Sequence, residues 1–186
     1  MKNPVQSLLR LIALKRNCSG APHGLCPLSR IRTATVLLDS SAEDADTARA
    51  GVKQYFDYHN IPVHILAPAK GELDLLGTLK KKVRGPRAQE GSGELFISLV
   101  DSPENFCSEY EARCSRACFK VGRRQLPGDV FDMVVLAPEN STQVSQTAVF
   151  AEIKNYLNII RLNHYPTISP LPSRASEWGR PMWCRA

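Results

Sequence analysis

Two uninterrupted apolar runs limit most strongly what this chain can fold into. They are TATVLL at 33–38 and LFISLV at 95–100. Each has the length of a strand, and neither alternates apolar with polar residues as a strand with one face in water does. Such runs are typical of strands buried on both faces, in parallel sheets covered by helices on either side. The sequence therefore predicts a layered α/β domain.

A strand–helix–strand unit begins with the first of these runs. Apolar residues recur at helical spacing between 45 and 59, and serines and acids precede them as helix-start signals. Asn60 ends this helix, and Pro62 leads into a second strand, VHILA at 63–67. The length of the connection fits a crossover between parallel strands.

The remaining elements complete a single domain over residues 31–162. Two further strands are predicted at 117–121 and 131–137, and the last helix is expected to begin at Asn140 or Ser141. We expect a mostly parallel, twisted sheet of about five strands with helices on its faces. In an alternative arrangement the last two strands pair antiparallel, because about ten residues with a Pro-Gly turn are few for a helical crossover.

Positive charge is concentrated at the two ends of the chain. Residues 1–38 contain six basic residues and no acid, whereas residues 39–162 contain fifteen basic and seventeen acidic residues. The segment 1–30 is a basic N-terminal segment, a short helix plus a linker, and the tail 163–186 is expected to be disordered. We interpret both ends as solvated arms. The alternative is weak contact of the N-terminal segment with nucleic acid or a membrane surface.

The stretch PVQSLLRLIALKR at 4–16 has its apolar residues on one helical face. We expect this helix to dock on the domain with a basic outer face. The alternatives are a transit peptide and a membrane-surface helix. No run in the chain approaches the ~18 apolar residues of a transmembrane segment.

Three segments carry a resemblance: RIRTATVLLDSS at 30–41, RACFKVGRR at 116–124 followed by FDMVV at 131–135, and IKNYLNIIRLN at 153–163. Their combination resembles a family of small bacterial proteins, found chiefly in Bacteroidetes and filed as a domain of unknown function. The resemblance covers about residues 1–163 and implies a bacterial, cytoplasmic setting. The family has no established activity, so it assigns no catalytic or binding residue here.

Several chemistries have no motif in this sequence. No glycine-rich phosphate loop follows the first strand, and no G-x-S-x-G nucleophile elbow occurs. The six cysteines include no C-x-x-C pair and are expected to act as small apolar residues. Cys18, His23 and Cys26 offer three zinc ligands, and a fourth, Cys184, lies at the far end of the chain. We assign no catalytic residue, metal ligand or cofactor.

Polar residues follow two of the predicted strands directly. Asp39, Ser40 and Ser41 come after the first strand, and Asp101 comes after LFISLV. The carboxyl ends of parallel strands share one edge of a sheet, where ligands bind in open α/β folds. These four residues are therefore candidate ligand-binding residues for a nucleotide or phosphate, or for Mg²⁺ held by Asp39 and Asp101. The plainer interpretation is that they cap helices.

Arg123 and Arg124 are candidate anion-binding residues, since arginine grips phosphate or carboxylate through two hydrogen bonds. Gly122 before them suits a turn with positive φ. Because a second strand follows, we favour a turn whose arginines point into solvent or toward an acidic neighbour.

These observations favour a non-enzymatic binding or interaction module in the cytoplasm. One alternative is an enzyme or sensor that binds a nucleotide or phosphorylated ligand at the carboxyl edge of the sheet. The second alternative is weak RNA association through the basic arms.

Overall fold

The computed structural model describes residues 4–84, 94–102, 105–136 and 144–162. Within them one five-stranded sheet is flanked by helices, and all of its strands run parallel, which confirms the predicted α/β fold. The strand order is β2-β1-β3-β4-β5. The strands are β1 (Ala34–Leu37), β2 (Val63–Leu66), β3 (Leu95–Ser98), β4 (Phe119–Gly122) and β5 (Met133–Val134).

Helices and short 3₁₀ turns connect these strands. The helix α2 ends where the sequence predicts, with Asn60 just beyond it at a φ of 55°. Asparagine tolerates this left-handed conformation better than most residues, which explains its place at a helix end. The helices are α1 (Pro4–Asn17), α2 (Ala45–Tyr58), α3 (Lys81–Arg84), α4 (Phe106–Cys114) and α5 (Gln146–Leu162).

The core lies on both faces of the sheet, because the inner strands are buried along their whole length. Successive side chains of a strand point to opposite faces. Val36, Ile97 and Val121 therefore belong to one apolar cluster, with α2 packed against α5, while Leu37 and Phe96 belong to the other. The helix α4 contributes to the second cluster, and α1 packs on α4.

The last two strands are parallel, so the antiparallel alternative is wrong. The connection from β4 to β5 crosses without a helix, and its apolar residues Leu126, Val130 and Phe131 pack into the second cluster instead. At about 3.3 Å per residue, a stretch of about ten extended residues easily spans back along a four-residue strand. A loop at 123–132, called here the crossing segment, therefore replaces the crossover helix; it has an exposed turn at 127–129 and is anchored by these apolar side chains.

Some predicted boundaries differ from the structure. The helix α4 begins at Phe106 and is capped by Asn105, whose side chain accepts a hydrogen bond from the Ser108 N–H, so it starts later than Asp101 suggested. The predicted cap at Asn140 or Ser141 and the tail 163–186 lie outside the described residues. Within the described ranges, every helix is too short or too polar to cross a membrane.

Candidate functional site

The carboxyl ends of β1 and β3 lie side by side at one edge of the sheet. Leu37, which ends β1, is paired with Ser98, which ends β3, so Asp39 and Asp101 follow their strands at the same edge. The strand order changes direction here, since β2 lies beside β1 and β4 lies beside β3. In doubly wound sheets, ligands bind at such a change of direction.

One part of this edge is the turn at residues 39–41, called here the Asp39 turn. The Asp39 carboxylate accepts hydrogen bonds from the backbone N–H of Ser41, at 2.9 Å, and from its hydroxyl, at 2.6 Å. The Ser40 hydroxyl donates to the carbonyl of Pro68 at 2.6 Å. These three polar side chains are therefore occupied by bonds within the protein.

The backbone of the Asp39 turn is held by Gln146 at the start of α5. The Gln146 side chain is 1% exposed. Its amide oxygen accepts from the Asp39 N–H at 2.8 Å, and its amide nitrogen donates to the Asp39 carbonyl at 3.0 Å. A buried amide that satisfies both backbone groups is a structural clamp between β1 and α5.

Asp44 makes a second link to α5. Its Oδ2 accepts from the backbone N–H of Thr147 at 2.7 Å and from the Thr147 hydroxyl at 2.9 Å. Burial raises the pKa of Asp44, but these hydrogen bonds outweigh burial and hold the pKa below its ordinary value. Asp44 therefore ties α2 to α5 in its ionised form.

The alternative of Mg²⁺ between Asp39 and Asp101 lacks further protein ligands. In the part of the chain that the structure describes, no three His, Cys, Asp or Glu side chains group as metal ligands. The Asp101 carboxylate lies 3.1 Å from Nη2 of Arg123 instead. The structure thus brings together a predicted ligand residue and a predicted anion-binding residue that the sequence could not connect.

Arg123 is buried at the end of β4, with only 6% of its surface exposed. Its Nη2 also donates to the carbonyl of Val144, and its Nη1 lies 3.5 Å from the carbonyl of Leu99. The buried Nε has no hydrogen-bond partner within the described residues. An unpaired buried donor on a charged group is costly and calls for an explanation.

Gly122 is required by a close contact and not by its backbone angles. It ends β4 and does not have the positive φ that a turn predicts. A Cβ at this position would meet three atoms of the Phe131 ring, the farthest of them 2.7 Å away. The glycine lets the crossing segment lie directly on β4, and Arg123 follows beneath it.

A cleft beside Arg123 opens at the amino end of α4. The volume of the cleft is about 330 Å³ when the part that is open to solvent is included. The Ser98 and Ser108 hydroxyls in its wall are 2.7 Å apart and buried. We call it the Arg123 cleft and define it by its polar lining, which consists of Ser98, Ser102, Asn105, Ser108, Glu109, Arg123 and Arg124.

The charges around the Arg123 cleft are unevenly compensated. Arg123 is paired with Asp101, whose side chain is 58% exposed and therefore well hydrated. Glu109 also lines the cleft, but it is bound to Arg113 of the same helix at 2.9 Å. Arg124 adds a half-buried cation to the lining. Since Arg113 neutralises Glu109 and Asp101 neutralises Arg123, Arg124 gives the described residues of the cleft a net positive charge.

The three residues of the linker that could ligate zinc bind separate partners. His23 Nδ1 lies 2.7 Å from Asp132, the Cys18 thiol lies near the Arg113 carbonyl, and Cys26 lies beside Cys118. Burial and the Cys118 thiol raise the pKa of Cys26 to about 11. Cys184 lies outside the described residues. Cys18 and His23 thus anchor the linker after α1 to the domain.

Sequence reasoning missed the hydroxyl pair Ser98–Ser108 and the burial of Arg123. One signal was present: Ser98 is the polar residue in the run LFISLV, so its hydroxyl must find a partner inside the protein. Nothing local marks Arg123, because its burial depends on the crossing segment that covers β4.

Comparisons with known proteins add no relative. No family model, no curated protein and no solved structure matches the chain. The resemblance to the Bacteroidetes family therefore stays a prediction, and the fold and the geometry of the edge carry the functional argument.

Proposed function

We propose that this protein is a non-enzymatic binding module that holds a small phosphate- or carboxylate-bearing ligand in the Arg123 cleft. One observation carries the proposal. Arg123 is buried with its Nε unpaired among the described residues, at the wall of a hydroxyl-lined cleft at the carboxyl edge of the sheet. An anion is the partner that such a donor lacks.

The position of the cleft supports an anionic ligand. It lies at the amino end of α4, where the helix dipole places partial positive charge. Ser102 and Arg124 add polar and cationic groups to the lining, next to Asn105, whose side chain caps α4. Arginine and hydroxyl donors around a helix start are the groups that proteins use for phosphate and carboxylate.

The size of the cleft limits the ligand. Most of its space is open to solvent, and the enclosed part has room for about one water-sized group, far less than the ~300–1,000 Å³ of ordinary ligand pockets. A single anionic group of a ligand is what enters such a space, and the rest of a nucleotide would lie outside it. The chemistry that recognises the ligand is therefore its anionic group.

The lining favours binding over catalysis. Among the described residues that line the cleft, there is no histidine or cysteine; the lining carboxylate, Glu109, is paired with Arg113, and the neighbouring Asp101 is paired with Arg123. General acid–base or nucleophilic chemistry needs such groups near the ligand. The nucleotide-dependent enzyme is the competing proposal, and it uses the same edge.

The cellular setting is part of the proposal. We propose a bacterial, cytoplasmic protein. The resemblance described above supports this setting.

A thermal-denaturation panel tests the function. Phosphate, acetate, a phosphate monoester and nucleotides with and without Mg²⁺ are compared with sodium chloride at equal ionic strength. A bound anion at 100 times its dissociation constant stabilises the protein by ~2.7 kcal/mol. Arg123→Gln should lose this increment, whereas Arg49→Gln, which removes an exposed arginine of α2, should keep it.

Two results would overturn the proposal. One is the same anion increment in Arg123→Gln as in the unchanged protein, which would mean a general salt effect. The other is release of phosphate from a nucleotide by the unchanged protein at a rate that Arg123→Gln abolishes, which would establish the enzyme instead.

A further inference from the structure

The helix α1 docks on the domain through polar side chains. The Arg10 guanidinium lies over the Phe106 ring of α4, 4.7 Å from its centroid, and Arg10 Nε donates to the Leu76 carbonyl at 2.8 Å. Gln6 donates to the Leu75 carbonyl at 3.0 Å. The helix therefore docks on the domain with Lys15 and Arg16 exposed, as expected, but its contacts are made by Gln6 and Arg10.

The apolar residues of α1 face solvent as a result. An amphipathic helix of a globular protein normally turns its apolar stripe to the core. Here five large side chains of α1 keep between 39% and 62% of their surface exposed. They are Val5, Leu8, Leu9, Leu11 and Ile12.

A neighbouring loop adds one more apolar side chain. Leu75 is 95% exposed and lies next to Gln6 of α1. Its loop is rigid, because the Asp74 carboxylate accepts hydrogen bonds from the N–H groups of Leu76 and Thr78 and from the Thr78 hydroxyl. The exposure of Leu75 is thus fixed by the fold. We call α1 together with Leu75 the α1 surface.

The positive charge of α1 discriminates between the partners that could bind the α1 surface. Lys15 and Arg16 are exposed at the end of α1, and residues 1–38 contain no acid. A second copy would add a second set of these cations and no acid in residues 1–38 to neutralise them. The tail 163–186 carries three arginines and one glutamate, so it is also positive. A partner with an anionic surface and an apolar interior matches both the exposed apolar side chains of α1 and the positive charge of Lys15 and Arg16.

We propose that the α1 surface docks on an anionic phospholipid bilayer. The helix lies in the plane of the interface, with its leucines among the upper acyl chains and Lys15 and Arg16 among the headgroups. RNA would match the basic charge but would leave the apolar side chains without a partner. This proposal is independent of the Arg123 cleft.

Vesicle sedimentation with the full chain tests the proposal. Vesicles of phosphatidylcholine with about 30% phosphatidylserine should bind the protein, and phosphatidylcholine alone should bind it much more weakly. Leu8→Gln with Leu9→Gln removes apolar surface without changing charge and should weaken binding about tenfold or more. Leu136→Gln with Ile159→Gln, which changes exposed apolar residues elsewhere, should bind as the unchanged protein does.

A second pair of substitutions distinguishes the contribution of charge to vesicle binding from that of apolar contact. Lys15→Gln with Arg16→Gln should lose the preference for phosphatidylserine and keep the weak binding to neutral vesicles. All these side chains are exposed, so thermal melting should stay unchanged.

Three outcomes would overturn the proposal. The first is no binding to either vesicle, or equal binding by Leu8→Gln with Leu9→Gln. The second is a concentration-dependent dimer in analytical ultracentrifugation that this leucine pair abolishes, which would make a second copy the occupant. The third is retention on RNA that the Lys15 and Arg16 pair abolishes and the leucine pair does not.

Discussion

The Asp39 turn and the Arg123 cleft lie on the same edge of the sheet but differ in how their polar groups are satisfied. In the Asp39 turn, the carboxylate, the serine hydroxyls and the backbone all have partners within the protein. In the Arg123 cleft, a buried guanidinium keeps one donor unpaired within the described residues. Two sites that look alike in sequence, polar residues after apolar strands, therefore have opposite characters.

This difference separates structure from function at the edge. Buried polar groups in folded proteins are almost always hydrogen-bonded, so a turn that is fully bonded needs no ligand. A buried donor left unpaired destabilises the protein unless something binds it. The comparison thus assigns a structural role to the Asp39 turn and supports the ligand binding that we propose for the Arg123 cleft.

The largest expected effect on stability is in the Asp39 turn. Gln146→Leu removes both hydrogen bonds to the Asp39 backbone; the Asp39 N–H is then left without a partner, and its carbonyl keeps only the Ala42 N–H at 3.3 Å. The free energy of unfolding should fall by about 2–3 kcal/mol, since an unsatisfied buried N–H costs about 1–3 kcal/mol and a lost hydrogen bond about 1 kcal/mol. Urea denaturation measures this change.

The matched control for this substitution lies on the same helix. Asn155→Leu replaces an exposed amide of α5 and should change the free energy of unfolding by less than about 0.5 kcal/mol. If Gln146→Leu were equally mild, the Asp39 turn would not be a structural clamp and the comparison would fail.

A smaller effect is expected at the base of the Arg123 cleft. Gly122→Ala forces a Cβ into the Phe131 ring and should lower the free energy of unfolding by about 2 kcal/mol. Phe131 also lines the cleft, so the stabilisation by anions should weaken in the same variant. Gly51→Ala in α2, where a Cβ meets nothing, should stabilise the protein slightly. Unchanged anion binding in Gly122→Ala would show that the contact between Phe131 and β4 does not shape the anion-binding part of the cleft.

The smallest effect concerns pH. The pKa of Asp44 is held below its ordinary value, so its bonds to Thr147 stabilise the protein above about pH 4 and are lost as the pH falls through the lowered pKa. Asp44 is partly exposed, so the contribution is below about 1 kcal/mol. Asp44→Asn should flatten the fall in melting temperature below about pH 4. An identical pH profile in this variant would contradict the link between α2 and α5.

Much of the fold could be predicted from the sequence, because continuous apolar runs of this length are typical of buried parallel strands. The continuous runs around Val36 and Ile97 predicted central parallel strands, and the helical spacing up to His59 predicted α2. The direction of β5 could not be predicted, because the crossing segment lacks helical periodicity and its burial depends on contacts with the finished sheet.

The candidate site was only half predictable. The common edge follows from parallel strands, and Asp39 and Asp101 lie on it as expected. Their pairing could not be derived, since Gln146 is 107 residues from Asp39 in sequence, and Arg123 meets Asp101 only once β4 lies beside β3. The docking of α1 through Gln6 and Arg10 was likewise hidden, because its pattern is the same whichever face is turned inward.

The most direct measurement follows the N–H group of Arg123 Nε by ¹H–¹⁵N NMR while inorganic phosphate is added to the unchanged protein. The signal is assigned from its absence in Arg123→Lys. The account predicts that this signal moves downfield and saturates as phosphate binds, while the N–H signal of Ser41 in the Asp39 turn stays in place. A stationary Arg123 signal, with the Ser41 signal shifting to saturation instead, would contradict it.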